Sequence, residues 1–178
     1  MGGSDPAGLT LRAARALDEL DPVFRARFVI GPGMKDRERV ARTIVSLHQN
    51  YETIEGADDL ATEYASADLA LAAFGVSAFE LAAFGVPSIY LGLTKDHAIS
   101  ASAFEHAGLG ISLGVIDEIA DEAIAAATRQ LLSDANRRRE MRTAALATVD
   151  GEGAARIAAD IAELLAVKRS GRRSLLAG

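Results

Sequence analysis

Two short runs, Leu69-Ala70-Leu71-Ala72 and Ser88 to Leu93, are apolar at almost every position. A strand with one wet face would alternate apolar and polar residues. An unbroken apolar run fits a strand covered by helices on both faces, the condition of a parallel sheet. Ser77 to Phe84, between the runs, has helix-forming composition, so this segment reads strand, helix, strand. The rhythm recurs along the chain. Leu9 to Leu20 carries apolar residues at helical spacing, and Arg27-Phe28-Val29-Ile30 reads as a strand ended by Gly31-Pro32-Gly33. Lys35 to His48 follows as a helix with Val40, Ile44 and Leu47 on one face, then Tyr51 to Ile54 as a strand and Asp58 to Ala65 as a short helix. Further on come a helix from Ala98 to Ala107, a strand from Ile111 to Leu113, and helices over 121–133, 135–148 and 153–167. Strands alternating with helices predict an α/β fold: a parallel sheet with helices on both faces.

With 178 residues, 49% of them hydrophobic, the chain can bury one substantial core but not two. It divides into a domain over 1–167 and a basic tail over 168–178, where Lys168-Arg169-Ser170-Gly171-Arg172-Arg173 reads as a flexible, solvated end. The absence of cysteine excludes disulfides, thiolate catalysis and Cys-based zinc sites. His48 and His106 fall on predicted helices without a metal-ligand pattern, so neither a metal nor another cofactor is expected. A net charge of −6 argues against nucleic acid as a partner. Apolar runs stop short of the roughly 20 residues a membrane span needs, and the opening Met-Gly-Gly-Ser-Asp is unlike a signal peptide. The default location is the cytoplasm.

In open parallel sheets ligands bind at the carboxyl ends of the strands, where helix N-termini present free N–H groups. The loops that matter are therefore Gly31-Pro32-Gly33, Phe74 to Ser77, and Thr94 to His97. Ala-Ala-Phe-Gly-Val occurs twice, at residues 72–76 and 82–86, with different continuations. After the first copy, Ser77 and Glu80 have the spacing of a capping box, Ser-x-x-Glu, which needs no ligand. The same residues also suit a ligand: Gly75 to Ser77 could offer amides to a phosphate, and the Glu80 carboxylate could take a sugar diol with its two oxygens. After the second copy, Pro87 blocks continuation of the helix, so Gly85 reads as a C-terminal stop. The two copies are opposite ends of one helix, not a repeat.

Four segments, GGSDPAGLTLRAARAL, FVIGPG, ADLALAAFGVSAFELAAFGVPSIYLGLTKDH and VDGEGAARIA, together resemble the C-terminal half of GT-B nucleotide-sugar enzymes. The likeness is greatest to the UDP-sugar hydrolase of pseudaminic acid biosynthesis and related spore-coat polysaccharide proteins, and it spans residues 2–165. The resemblance implies a Rossmann-like domain that binds UDP or a UDP-sugar. Ser77 and the amides of Gly75 and Val76 would meet the diphosphate, with Gly3 and Ser4 as the other phosphate-side loop. Glu80 would hold the ribose hydroxyls, backbone around Ile54 would pair with the uracil, and Asp96 and His97 would stand near the sugar. The family usually has Gly-Gly-Ser-Thr where this chain reads Phe74-Gly75-Val76-Ser77, so the Val76 side chain would narrow the phosphate site.

The family's N-terminal domain carries its candidate catalytic histidine in a Gly-x-Gly-His-x-x-Arg loop, and no such segment occurs in this sequence. Gly2-Gly3-Ser4-Asp5-Pro6 also looks like a loop leading out of a strand, with none before it, so the sheet is expected to lack its usual first strand. The expectation is that Met1 is internal to a longer ancestor, and that a catalytic N-terminal domain sits on a longer or separate chain. Catalytic residues in this chain are then unknown. Two other readings stand beside it: a non-catalytic assembly module, pairing its unsatisfied sheet with another chain as a homo-oligomer, and a complete small hydrolase using Asp96 and His97.

Overall fold

The computed structural model describes residues 1, 3–21, 24–56 and 59–175, with side chains only as far as residue 166. In chain order the elements are α1 (Leu9–Asp18), β1 (Ala26–Ile30), α2 (Arg37–Val45), β2 (Tyr51–Glu55), α3 (Ala61–Ala65), β3 (Ala70–Ala73), α4 (Val76–Ala83), β4 (Ser88–Gly92), α5 (Lys95–His106) and β5 (Gly110–Val115). A 3-10 turn at Ile116–Glu118 leads to α6 (Asp121–Ser133), α7 (Ala135–Thr148) and α8 (Gly153–Leu175). All strand pairs are parallel, and helices flank the strands, giving the Rossmann-like α/β fold that the apolar runs predict.

The strands do not form one continuous sheet. β1 pairs with β2, and β3, β4 and β5 form a second sheet in that order. Leu71 of β3 packs against the core cluster built by α1, α2, β1 and β2, so the two sheets sit side by side. Among the described residues, no strand joins β1 to β3. On β3 the N–H groups of Ala70 and Phe74 donate to Pro87 and Leu91, on the β4 side. Residues two apart on a parallel strand share a side, so Leu71 and Ala73 turn their N–H and C=O groups to the open edge. This edge corrects one expectation. The run over 69–72 suggests a strand covered on both faces, yet Ala70, Leu71 and Ala72 are only half-buried, whereas every residue of β4 is buried. The difference is position: β4 has a neighbour on each side and β3 has one.

Helix α1 ties the halves together. Ala14 and Leu17 belong to the β1–β2 core, while Leu9 packs with Ala73 and Leu91 of the larger sheet. Arg12 donates to the carbonyls of Ile116 and Ile119 and forms an ion pair with Asp121. On the other side of β3 and β4, four aromatic rings (Phe74, Phe79, Tyr90 and Phe104) meet edge to face, with centroids 5.0–6.4 Å apart. Tilted contacts of this kind are favoured by the ring quadrupoles. They lock α4 and α5 onto β4, and so fix the start of α4 relative to the strand ends.

Boundaries shift in two informative places. The helix expected from Ala98 begins at Lys95, because Thr94 Oγ1 accepts from the His97 N–H at 3.2 Å and caps it. The last helix, expected to end at residue 167, runs on to Leu175 and takes the basic block into its backbone. Asp58, the expected start of the helix before β3, and Gly2 lie outside the described residues. No helix among the described residues is long and apolar enough to cross a membrane.

Candidate functional site at the strand ends

The first AAFGV copy ends β3 and opens α4, but not as a capping box. The N-cap is Gly75, which has no side chain to accept a bond, and Val76 is already helical. Ser77 is thus the second residue of the helix, too late to cap it, and Glu80 bonds elsewhere. The first N–H groups of any α-helix lack intrahelical partners, and here no side chain takes them. Gly75 has an extended backbone, φ 176°, so the residue is not needed for a left-handed turn. A Cβ built on it meets nothing within 4 Å. The space over the start of α4 is open, and Val76, 77% exposed, points its side chain to solvent.

The other helices that follow strands are occupied at this end. α2 has Glu38 and α3 has Glu63 in the first turn. Asp59 accepts from the Ala61 N–H at 2.8 Å, at the start of α3. α5 is capped by Thr94 and carries Asp96, and α6 carries Asp121 and Glu122. At α1 the Asp5 carboxylate accepts from the N–H groups of Leu9 and Thr10 at 2.8 and 2.9 Å. Among the described residues, α4 is therefore the one strand-following helix that begins with neither a side-chain cap nor a carboxylate in its first turn. The positive end of its dipole faces open space.

Glu80, one turn into α4, is exposed, and its Oε2 accepts from the Tyr64 hydroxyl of α3 at 3.1 Å. Burial pushes the Tyr64 phenol above its usual pKa; the Ser77 hydroxyl beside it pulls the other way, and the Glu80 charge adds to the rise. The structure thus brings Ser77 and Glu80 together around Tyr64, a residue that sequence spacing did not single out because it belongs to another element. Asp5 was likewise missed, although its place before Pro6 at a helix entry is a signal that would have found it.

Gly3 and Ser4 are exposed and lie against the carboxyl end of β1. Space is tight there: a Cβ on Gly31 would come under 3.0 Å from the O, Cα and C of Gly3. Met1 packs on the cluster containing Ala73 and Leu91, near the carboxyl end of β3. Asp96 and His97 occupy the first turn of α5, Asp96 exposed and His97 half-buried with its Nδ1 shut away from water and from any described hydrogen-bond partner. Ile54 is half-buried inside β2, opposite Val29, and not beyond the strand end. His48 and His106 serve locally: His48 Nδ1 sits 2.9 Å from Asp18, and His106 Nδ1 sits 2.6 Å from the Ser102 carbonyl oxygen. No group of three His, Asp or Glu side chains among the described residues is placed to hold a metal.

The second copy does what the sequence suggests. Gly85, φ 66°, follows Phe84, and the N–H groups of Gly85 and Val86 return to the carbonyls of Ala82 and Leu81 at 2.9 Å each. This paired closure is the Schellman stop, and glycine is favoured at its left-handed position.

Comparison with solved structures places this architecture. The MurG protein of Acinetobacter baumannii superposes with a TM-score of 0.75, covering 91% of this chain and 48% of its own, at 17% identity. The spinosyn rhamnosyltransferase SpnG, in a complex with thymidine diphosphate, matches with a TM-score of 0.64 over 85% of this chain and 38% of its own, at 25% identity. The chain has a GT-B-like fold. In sequence, this GT-B-like domain is 29% identical over 166 residues to the spore coat polysaccharide biosynthesis protein SpsG of Bacillus subtilis (strain 168). The match takes in 92% of this chain and 49% of SpsG, so the domain spans about half the length of that relative. No protein-family model matches the chain.

Proposed function

We propose that the chain binds the UDP moiety of a nucleotide sugar, as the donor half of a GT-B-like UDP-sugar hydrolase or glycosyltransferase. The observation that carries the reading is the start of α4: uncapped, free of carboxylates, open above Gly75, and followed one turn later by a carboxylate already held in place. The diphosphate takes the N–H groups of Gly75, Val76 and Ser77, where the helix dipole favours an anion. Glu80 accepts from the ribose hydroxyls, Gly3 and Ser4 close the other side of the phosphates, and backbone near Ile54 meets the base. Asp96 and His97 stand toward the sugar. The catalytic group comes from an N-terminal domain on a longer or separate chain. The match to 49% of SpsG and to 38% of the rhamnosyltransferase SpnG supports that division of labour. Isothermal titration with UDP tests the reading. A folded sample that takes up no UDP at millimolar ligand would sink it, and Glu80→Ala should weaken UDP more than 2′-deoxy-UDP.

A second reading, an assembly module derived from this fold, draws on the open edges of β1 and β3 and on α8. Ile157, Ile161 and Leu164 are exposed at i, i+4 and i+7 spacing on that helix. Unpaired strand edges invite pairing with another chain. Light scattering decides here: a monomer mass that does not change with concentration counts against self-assembly.

A further inference from the structure

Tyr64 is the residue at this site that neither the sequence motifs nor the reading above assigns. Its ring is held by packing, not by its hydroxyl. It lies with the cluster of Phe74, Ala78 and Leu81 and meets Phe84, at the far end of α4, edge to face with centroids 5.8 Å apart. The hydroxyl is therefore a fixed point. Glu80, by contrast, is an exposed side chain that would otherwise sample several rotamers, and ordering such a chain for a ligand costs entropy. A neutral phenol has one proton to give. Here it goes to Glu80 Oε2 at 3.1 Å, which leaves Oε1 without a described partner and orients the carboxylate. The Ser77 hydroxyl stands beside the same phenol oxygen.

We propose that Tyr64 is a positioning residue for nucleotide recognition: by holding one oxygen of Glu80 it presents the other to the ribose 2′-hydroxyl, and so sets the preference for ribonucleotide over deoxyribonucleotide. This inference rests on the nucleotide-binding reading and goes beyond it, because Tyr64 itself touches no ligand in the scheme. A fixed carboxylate gains from the 2′-hydroxyl; a mobile one gains less, since part of the bond energy goes into ordering it.

The test is titration of the whole chain and of Tyr64→Phe with UDP and with 2′-deoxy-UDP. Phenylalanine keeps the ring packing, so circular dichroism and melting should match the parent. The parent should bind UDP about tenfold more tightly than the deoxy ligand, the scale of one hydrogen bond to a charged group. Tyr64→Phe should bring that ratio to within about threefold, mostly by weakening UDP. Glu80→Gln should abolish the preference, and Tyr64→Phe added to Glu80→Gln should change nothing further, a non-additivity that a merely structural tyrosine would not produce. The outcomes separate the claims. If the parent prefers UDP and Tyr64→Phe keeps that preference, the tyrosine's role is overturned while nucleotide binding stands. If the parent binds both ligands equally, Glu80 is not the ribose carboxylate and the inference falls with it. If no UDP is bound, both readings fail together.

Discussion

Replacing Gly75 by aspartate should stabilise the protein and damage its proposed site at once. Gly75 is the N-cap of α4, its backbone is extended, and a Cβ there meets nothing within 4 Å, so the new side chain enters without a clash. Three gains are expected. Aspartate caps a helix better than glycine by a few tenths of a kcal/mol. Its charge meets the free dipole end for about 0.3–1 kcal/mol. Losing a glycine from the unfolded chain adds about 0.4–1 kcal/mol. Together these give about 1–2 kcal/mol, or a rise in Tm of about 2–8 °C for a domain of this size. The same carboxylate would occupy the N–H groups proposed for the diphosphate and repel it. UDP should therefore bind at least about tenfold more weakly, a difference of about 1.4 kcal/mol. Differential scanning fluorimetry and titration calorimetry on one preparation read both effects. A lower Tm would refute the open geometry over α4. A higher Tm with unchanged UDP affinity would leave the helix start as a plain terminus and remove the phosphate from it.

Gly31→Ala acts in the opposite way, since its Cβ would come under 3.0 Å from backbone atoms of Gly3 and only a shift of the loop can relieve it. We expect about 1–3 kcal/mol of destabilisation and weaker UDP binding; loss of stability with intact binding would exclude Gly3 and Ser4 from the site. Hydrogen exchange should find the amides of Leu71 and Ala73 fast, and those of Ala70 and Phe74, which donate to the β4 side, slow. Equal protection across β3 would mean that its open edge is covered in solution. At Asp18, burial opposes ionisation, but hydrogen bonds from Gln49 and His48 outweigh it and hold the carboxyl below its usual pKa of 3.8. A lowered folded pKa contributes stability above the unfolded value and loses it as pH falls through the folded one. Asp18→Asn should thus cost about 1–2 kcal/mol near pH 7, and the melting gap to the parent should close as pH drops below 3.8; a gap independent of pH would dismiss the ionised form as the source.

The fold was legible because burial on two faces leaves a mark that survives in composition. Ser88 to Gly92 is buried at every position, and its unbroken apolar run announces as much. Helices 121–133 and 135–148 appear where the sequence reading puts them, since their ends depend on local residues such as Asp134, which accepts from the Arg137 N–H at 2.9 Å. Local signals failed where a competing local signal was stronger. Ser77 and Glu80 have capping-box spacing, but the extended backbone of Gly75 starts the helix two residues earlier than that box requires, at Val76, and strands the serine inside it. Thr94 did the same for α5, moving its start to Lys95. What no local pattern could supply is the neighbour: β3 has the sequence of a central strand but only Ala73 of its four residues is buried, because burial depends on what lies beside it.

The two glycine junctions of α4 show how one pentapeptide can serve opposite ends. At residues 82–86 the glycine takes a left-handed turn, its own N–H and that of Val86 return to the helix, and Arg142 reaches the carbonyl of Gly85 from α7 at 3.3 Å. Every polar group named there is used. At residues 72–76 the glycine is extended, nothing caps the helix, and the exposed valine leaves the first turn open. Helix ends left unsatisfied are costly only where water is shut out, so an open, solvated start can persist without a ligand. The distinguishing evidence is therefore not the free amides alone but their company: a carboxylate one turn along, held by a tyrosine from a different element, at the carboxyl end of a parallel strand. The Tyr64–Glu80 bond also ties α3 to α4, a contribution to the fold that needs no ligand. For that reason the ratio of UDP to 2′-deoxy-UDP affinity, before and after removal of one hydroxyl group, bears more directly on function than affinity for UDP by itself.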